Sequence, residues 1–86
     1  MELRLTEPAK DDIRFFVRSG QKAILKKIEV LLIEIEKQPF IGLGKPEPLK
    51  HNYSGYWSRR INREHRVVYK IVDNVIFIMS FKGHYE

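Results

Sequence analysis

Between residues 38 and 48 the chain changes its periodicity, and that break constrains the fold more than any other feature. Pro39, Gly42, Gly44, Pro46 and Pro48 all fall within it. Prolines without a backbone donor and glycines without a side chain to pack disfavour regular helix and central strand alike, so the stretch reads as an ordered loop. On its N-terminal side Ile24, Leu25, Ile28, Leu31, Leu32 and Ile35 recur at helical spacing, with Lys26, Lys27, Glu29, Glu34 and Lys37 largely on the other face. A shorter helix comes first. Thr6, Pro8, Asp11 and Asp12 give it a polar start, Ile13, Phe16 and Val17 an apolar stripe, and Ser19-Gly20 a left-handed stop.

Beyond the break the pattern is that of strands. Residues 53–62, 66–72 and 75–81 are rich in β-branched and aromatic side chains, with Asn62-Arg63-Glu64 and Asp73-Asn74 as turns between them. Leu3 and Leu5 alternate with charged residues like a short edge strand. These elements predict an α+β fold, with an N-terminal strand and two helices packed on one face of a twisted antiparallel sheet whose other face is free. With 86 residues the chain has enough apolar side chains for one core and too few for two, so a single domain over 1–86 is expected.

The absence of cysteine excludes disulfide staples and thiolate zinc sites and suits a reducing compartment. No basic segment followed by an apolar run stands at the N-terminus, and no stretch is long enough to span a bilayer, so a cytoplasmic protein without membrane contact is expected. His51, His65 and His84 lack metal-ligand spacing, and Gly42-Leu43-Gly44 is no nucleotide loop, so neither metal nor cofactor is expected. The net charge of +5 favours a polyanionic partner, and the basic residues are interleaved with the strands rather than gathered in a tail.

Cutting RNA by attack of its own 2′-hydroxyl needs a base for that proton, an acid for the leaving 5′-oxygen and cations around the phosphorane. The sequence holds one such set. Glu47, stiffened between Pro46 and Pro48, suits a base; the competing reading is a salt bridge to Lys45 or Lys50. His84, close to the chain end, is a candidate acid or a solvated side chain. Tyr85 could position a group at the phosphate or close a small core. Arg59, Arg60 and Arg66, on neighbouring strands, form either a phosphate clamp or a solvated sheet face. Lys45, Lys50 and His51 could extend the phosphate track or be ordinary loop polarity. Trp57 is a base-stacking candidate or a core residue.

Taken together, Gly44-Lys45-Pro46-Glu47-Pro48-Leu49-Lys50-His51-Asn52, Ser54-Gly55-Tyr56-Trp57-Ser58-Arg59-Arg60-Ile61 and Glu64-His65-Arg66-Val67-Val68-Tyr69 resemble the hallmark segments of YoeB/Txe-type toxins of the RelE mRNA-interferase superfamily. The terminal His84-Tyr85 continues the likeness, which covers essentially the whole chain. It implies a RelE-like fold and a ribosome-dependent endoribonuclease that cuts mRNA in the ribosomal A site, leaving a 2′,3′-cyclic phosphate and a 5′-hydroxyl. Glu47 would be its base, His84 its acid, Arg66 the stabiliser of phosphorane charge and Tyr85 a positioning group, with Arg60 and Lys50 assisting.

The same resemblance implies a homodimer, a YefM/Axe-type antitoxin, and operator DNA bound by the toxin–antitoxin complex. Two positions depart from the pattern. Glu86 follows the His-Tyr pair, and Lys82-Gly83 replaces the more usual Arg-aromatic pair before it. Two rival functions remain at this level: a gyrase poison of the related ParE branch, and a plain RNA-binding or ribosome-associated module.

Overall fold

The computed structural model describes residues 1–83, in the order β1 (Glu2–Leu5), α1 (Glu7–Arg18), α2 (Lys22–Lys37), β2 (Glu47–Pro48), a 3₁₀ turn (His51–Tyr53), β3 (Tyr56–Arg60), β4 (Arg66–Val72) and β5 (Val75–Ser80). Thr6 caps α1: its hydroxyl accepts from the Ala9 amide at 3.4 Å and donates to the Ile78 carbonyl at 2.9 Å, tying the start of the helix to β5. The stop at Ser19-Gly20 is as expected. Gly20 takes φ +67°, and the amides of Ser19, Gly20 and Gln21 bond back to the last helical carbonyls. Val17, however, is exposed, and Ala9 and Phe16 are the fully buried residues of α1.

The sheet has five strands in the order β1-β5-β4-β3-β2. It is mixed rather than antiparallel throughout, because β1 runs parallel to β5, with Leu3 opposite Ile76 and Leu5 opposite Ile78. After β1 the chain leaves the sheet through both helices and the loop, so its neighbour is the last strand, which happens to run the same way. A two-residue strand, β2, also appears inside the stretch read as loop. Pro48 is tolerated there because β2 is an edge strand. Asp73 and Asn74 close the β4–β5 hairpin, both at positive φ as a two-residue turn of this hand requires.

Both helices cover the sheet face that carries Trp57, Ile61, Val67, Tyr69, Ile71, Ile76 and Ile78; Phe16, Ile28, Leu31 and Ile35 complete the core. Burial of these apolar side chains contributes roughly 1.5–3 kcal/mol each before the entropy of ordering is counted. Val30 and Ile33 stay exposed, so the buried stripe of α2 is narrow. The β4–β5 pairing slips between Val68 and Tyr69, which face Ser80 and Ile78 and leave Met79 as the extra residue of a bulge. Strict alternation would send Ser80 into the core. The slip turns it to the opposite face beside Val68 and brings Phe81 inside, where it is fully buried. That opposite face is not bare: Ser58 and Val68 are buried on it too.

Candidate active site on the open sheet face

The loop before β2 determines where Glu47 stands, and Arg59 holds the loop. Arg59 projects to the helix-covered face of β3 and is fully buried. Its guanidinium donates to the carbonyls of Gln38, Ile41 (2.8 Å) and Leu43 (3.2 Å), and its Nε to the Tyr69 hydroxyl at 3.2 Å. Tyr69 in turn donates to the Pro39 carbonyl. Burial pushes the Tyr69 phenol above its ordinary range, and the nearby Arg59 partly opposes this. The expectation that Arg59 binds phosphate is therefore corrected: the side chain is fully buried, and all three of its nitrogens are engaged with loop carbonyls or the Tyr69 hydroxyl.

Gly44 takes φ +82°, and a Cβ there would stand 2.9 Å from the Arg60 carbonyl and 3.2 Å from the Arg59 Cβ. Only glycine lets the loop lie so close to β3. The Arg60 amide then donates to the Gly44 carbonyl, and β2 begins three residues later with Glu47 opposite Ser58.

On the open face Arg66 meets Glu47. Arg66 Nη1 donates to Glu47 Oε1 at 2.9 Å and to Ser58 Oγ at 3.0 Å. The Arg66 side chain is 17% exposed and that of Glu47 55%, so the pair lies at the rim, with the carboxylate facing water. Among the described residues Nε and Nη2 of Arg66 and the second oxygen of Glu47 have no hydrogen-bond partner. The arrangement offers a fork of donors for a phosphate beside a carboxylate that can accept a proton. Arg60, exposed, pairs with Arg66 in the sheet register and shares its face. Lys45, Lys50 and His51 are exposed, and among the described residues none of them forms an ion pair with Glu47. Trp57 packs against the core and on the Phe40 ring at 4.8 Å, which favours its structural reading.

His84 and Tyr85, candidate acid and positioning group, lie outside the described residues. The segment leading to them is firmly held. Asp12 Oδ2 accepts from the amides of Phe81 (2.9 Å) and Lys82 (3.2 Å), and the Lys82 ammonium sits 3.8 Å from the Phe15 ring centroid. His65 Nδ1 accepts from the Gly83 amide at 2.9 Å, and the Gly83 carbonyl accepts from the Arg66 amide at 2.8 Å. The residue before His84 is thus bonded to the backbone of Arg66. Sequence reasoning missed Ser58, Asp12 and His65 as supports. Each acts across a long sequence separation, and no local pattern marks it.

No group of His, Asp or Glu side chains converges as a metal site among the described residues. None of their helices is long and apolar enough to cross a membrane.

A small α+β domain with two helices on one face of its sheet is an architecture shared by several bacterial toxins. The structure superposes on the YoeB/ParE toxin from Agrobacterium tumefaciens with TM-score 0.92 and 40% identity, covering 99% of this chain and 100% of that one. The Staphylococcus aureus YoeB dimer follows at 0.86 and 44%, covering 99% and 98%. The more distant YafQ from E. coli, at TM-score 0.73 and 18% identity, shares the fold alone.

In sequence, residues 5–85 match the family model for the YoeB-like toxin of bacterial type II toxin-antitoxin systems. Toxin YoeB of Synechocystis is 49% identical over 86 residues, 100% of this chain and 99% of the relative, and Toxin YoeB of Escherichia coli K12 is 46% identical over 85 residues, 99% and 100%. The chain belongs to the YoeB-like toxins of bacterial type II toxin-antitoxin systems.

Proposed function

We propose that this toxin is a ribosome-dependent endoribonuclease that cleaves mRNA in the A site by metal-independent acid-base catalysis. The observation that carries the reading is the Glu47–Arg66 pair, braced by Ser58 on the open face, with the segment leading to His84 bonded to Arg66. A phosphate entering the fork of Arg66 brings the adjacent ribose toward the free oxygen of Glu47. Glu47 takes the 2′-hydroxyl proton, the 2′-oxygen attacks phosphorus, and the 5′-oxygen leaves as His84 protonates it. Arg66, assisted by Arg60 and Lys50, holds the charge that develops on the phosphorane oxygens, and Tyr85 positions the phosphate. The products are a 2′,3′-cyclic phosphate and a 5′-hydroxyl, and atoms balance without an external cofactor.

Partners follow from the same reading. Solved structures of the Staphylococcus aureus relative include a YoeB dimer and a YoeB-YefM complex, and for this chain a homodimer, a YefM/Axe-type antitoxin and operator binding by the complex are proposed. A cytoplasmic site of action is required by the substrate. Primer extension on mRNA in a ribosome-programmed reaction tests the function. New ends within the decoding codon, only with ribosomes present, support it; arrest of translation on intact RNA would replace it with a binding poison.

A further inference from the structure

We propose that His65 is a positioning residue of the reaction: its imidazole holds the Gly83 peptide against Arg66 and so sets where the acid, one residue further on, meets the leaving oxygen. The proposal rests on the reading of His84 as that acid and deepens it by naming what registers the acid with the Glu47–Arg66 pair. Glu47 and Arg66 stand on strands of one sheet, whereas residues 81–83 separate His84 from the end of β5. A general acid works only within hydrogen-bond reach of the atom it protonates, and a misplacement of about 1 Å can cost on the order of 10²-fold in rate. The hold on those three residues therefore matters to the chemistry.

That hold changes along the segment. Phe81 is fully buried, and its amide and that of Lys82 donate to Asp12 Oδ2. Gly83 has no side chain, and a Cβ there would meet nothing within 4 Å, so packing does not locate it. Its peptide groups do. The N–H donates to His65 Nδ1 at 2.9 Å, and the carbonyl accepts from the Arg66 amide at 2.8 Å. The second bond joins backbone to backbone and is open to any residue but proline at position 66. The first depends on the His65 side chain, and without it Gly83 would hang on a single bond about which it can turn.

His65 is itself fixed independently of Gly83. Its ring meets the buried Phe16 ring edge to face at 5.2 Å, its amide donates to Asn62 Oδ1 at 2.8 Å, and its carbonyl accepts from the Ile61 amide at 2.9 Å. A backbone amide can only donate, so Nδ1 presents its lone pair to Gly83, and in the neutral ring the proton sits on Nε2. What position 65 needs is an acceptor at the place of Nδ1. The side-chain oxygen of asparagine can stand there; leucine offers none.

Single-turnover cleavage of ribosome-bound mRNA, with either the natural 5′-oxygen or a bridging 5′-sulfur at the cleaved linkage, tests the assignment. A thiolate leaves without being protonated, so the sulfur substrate dispenses with the acid while still needing the base and the cations. His65→Leu should lower the rate on ordinary mRNA roughly 10–10²-fold, with the toxin concentration for half-maximal rate unchanged, and should cut the sulfur substrate as fast as wild type. His65→Asn should stay near wild type on both. His65→Gln keeps a polar side chain but carries its acceptor one atom too far along, so it should behave as His65→Leu and stands in for it if that variant does not fold. An equal loss on both substrates in a folded variant, no loss on either, or His65→Asn as impaired as His65→Leu overturns the proposal. His84→Gln in the same assay checks the reading underneath. If sulfur restores His84→Gln but not His65→Leu, only the positioning role falls; if sulfur restores neither, the acid assignment falls and the positioning role with it.

Discussion

Arg59 on β3 and Arg66 on β4 carry the same guanidinium and both donate to oxygens brought from the residue 38–48 region, yet one is interior and the other borders solvent. The difference is one of parity. Arg59 shares its face with the core residues of β4, whereas Arg66 points away from them with Ser58 and Arg60. On the helix-covered face the cation is fixed by three neutral carbonyls and the Tyr69 hydroxyl, which engage all three of its nitrogens. On the open face the cation meets one carboxylate and one hydroxyl and keeps donors in reserve. The fold thus separates holding the loop from doing chemistry, and β3 with its partner strand serves both.

Removing each guanidinium in turn should therefore affect different properties of the protein. The largest expected effect is at Arg66: Arg66→Gln should lower ribosome-dependent cleavage by roughly 10²–10⁴-fold, while the half-exposed Glu47 carboxylate and the buried Ser58 hydroxyl that it leaves behind should lower folding stability by only about 1–2 kcal/mol. Arg59→Met should do the reverse. It strands the Gln38, Ile41 and Leu43 carbonyls and removes charged hydrogen bonds, lowering stability by roughly 3 kcal/mol in urea unfolding. Cleavage by the fraction that stays folded would fall only as far as Glu47 is displaced.

Gly44→Ala sits between the two regions. Its methyl group would meet the Arg60 carbonyl at 2.9 Å in a backbone conformation that alanine resists, costing about 2 kcal/mol. The smallest effect concerns pH. Burial raises the Tyr69 phenol above the ordinary phenol value of about 10, so the folded chain keeps this proton where the unfolded chain releases it. Its contribution is intact below that pH and is lost as pH rises through the raised folded value, so unfolding midpoints should fall above about pH 10 in wild type and less steeply in Tyr69→Phe.

Much of the architecture was legible because it rests on local signals. The helical spacing of Ile28, Leu31 and Ile35, the Thr6 cap, the Ser19-Gly20 stop and the Asp73-Asn74 turn are each written within a few residues, and each is where the pattern puts it. The parallel pairing of β1 was not legible, since it depends on which strand edge remains open once β5 is laid down. Nor was β2, two residues long and half proline, whose place is set by Arg59 and Gly44 rather than by its own propensity.

The candidate site divides the same way. Glu47 and Arg66 were singled out for their chemistry, and the structure places them in contact across a separation of 19 residues. Arg59 was grouped with Arg60 and Arg66 because strand periodicity alone cannot say which face the helices cover, and charge suggested the surface. Ser58, Asp12 and His65 carried no signal, because a hydroxyl, a carboxylate and an imidazole in ordinary surroundings become supports only when distant backbone amides or a guanidinium arrive beside them.

The most direct test of the central claim is the single-turnover cleavage rate of Glu47→Gln on programmed ribosomes, with folding checked by its melting curve. The amide keeps the shape of the carboxylate and can still accept from Arg66, but cannot take the 2′-hydroxyl proton. A rate lowered roughly 10²–10⁴-fold in a protein that melts like wild type is the predicted result; unchanged cleavage would contradict Glu47 as the base and with it the catalytic reading of the open face.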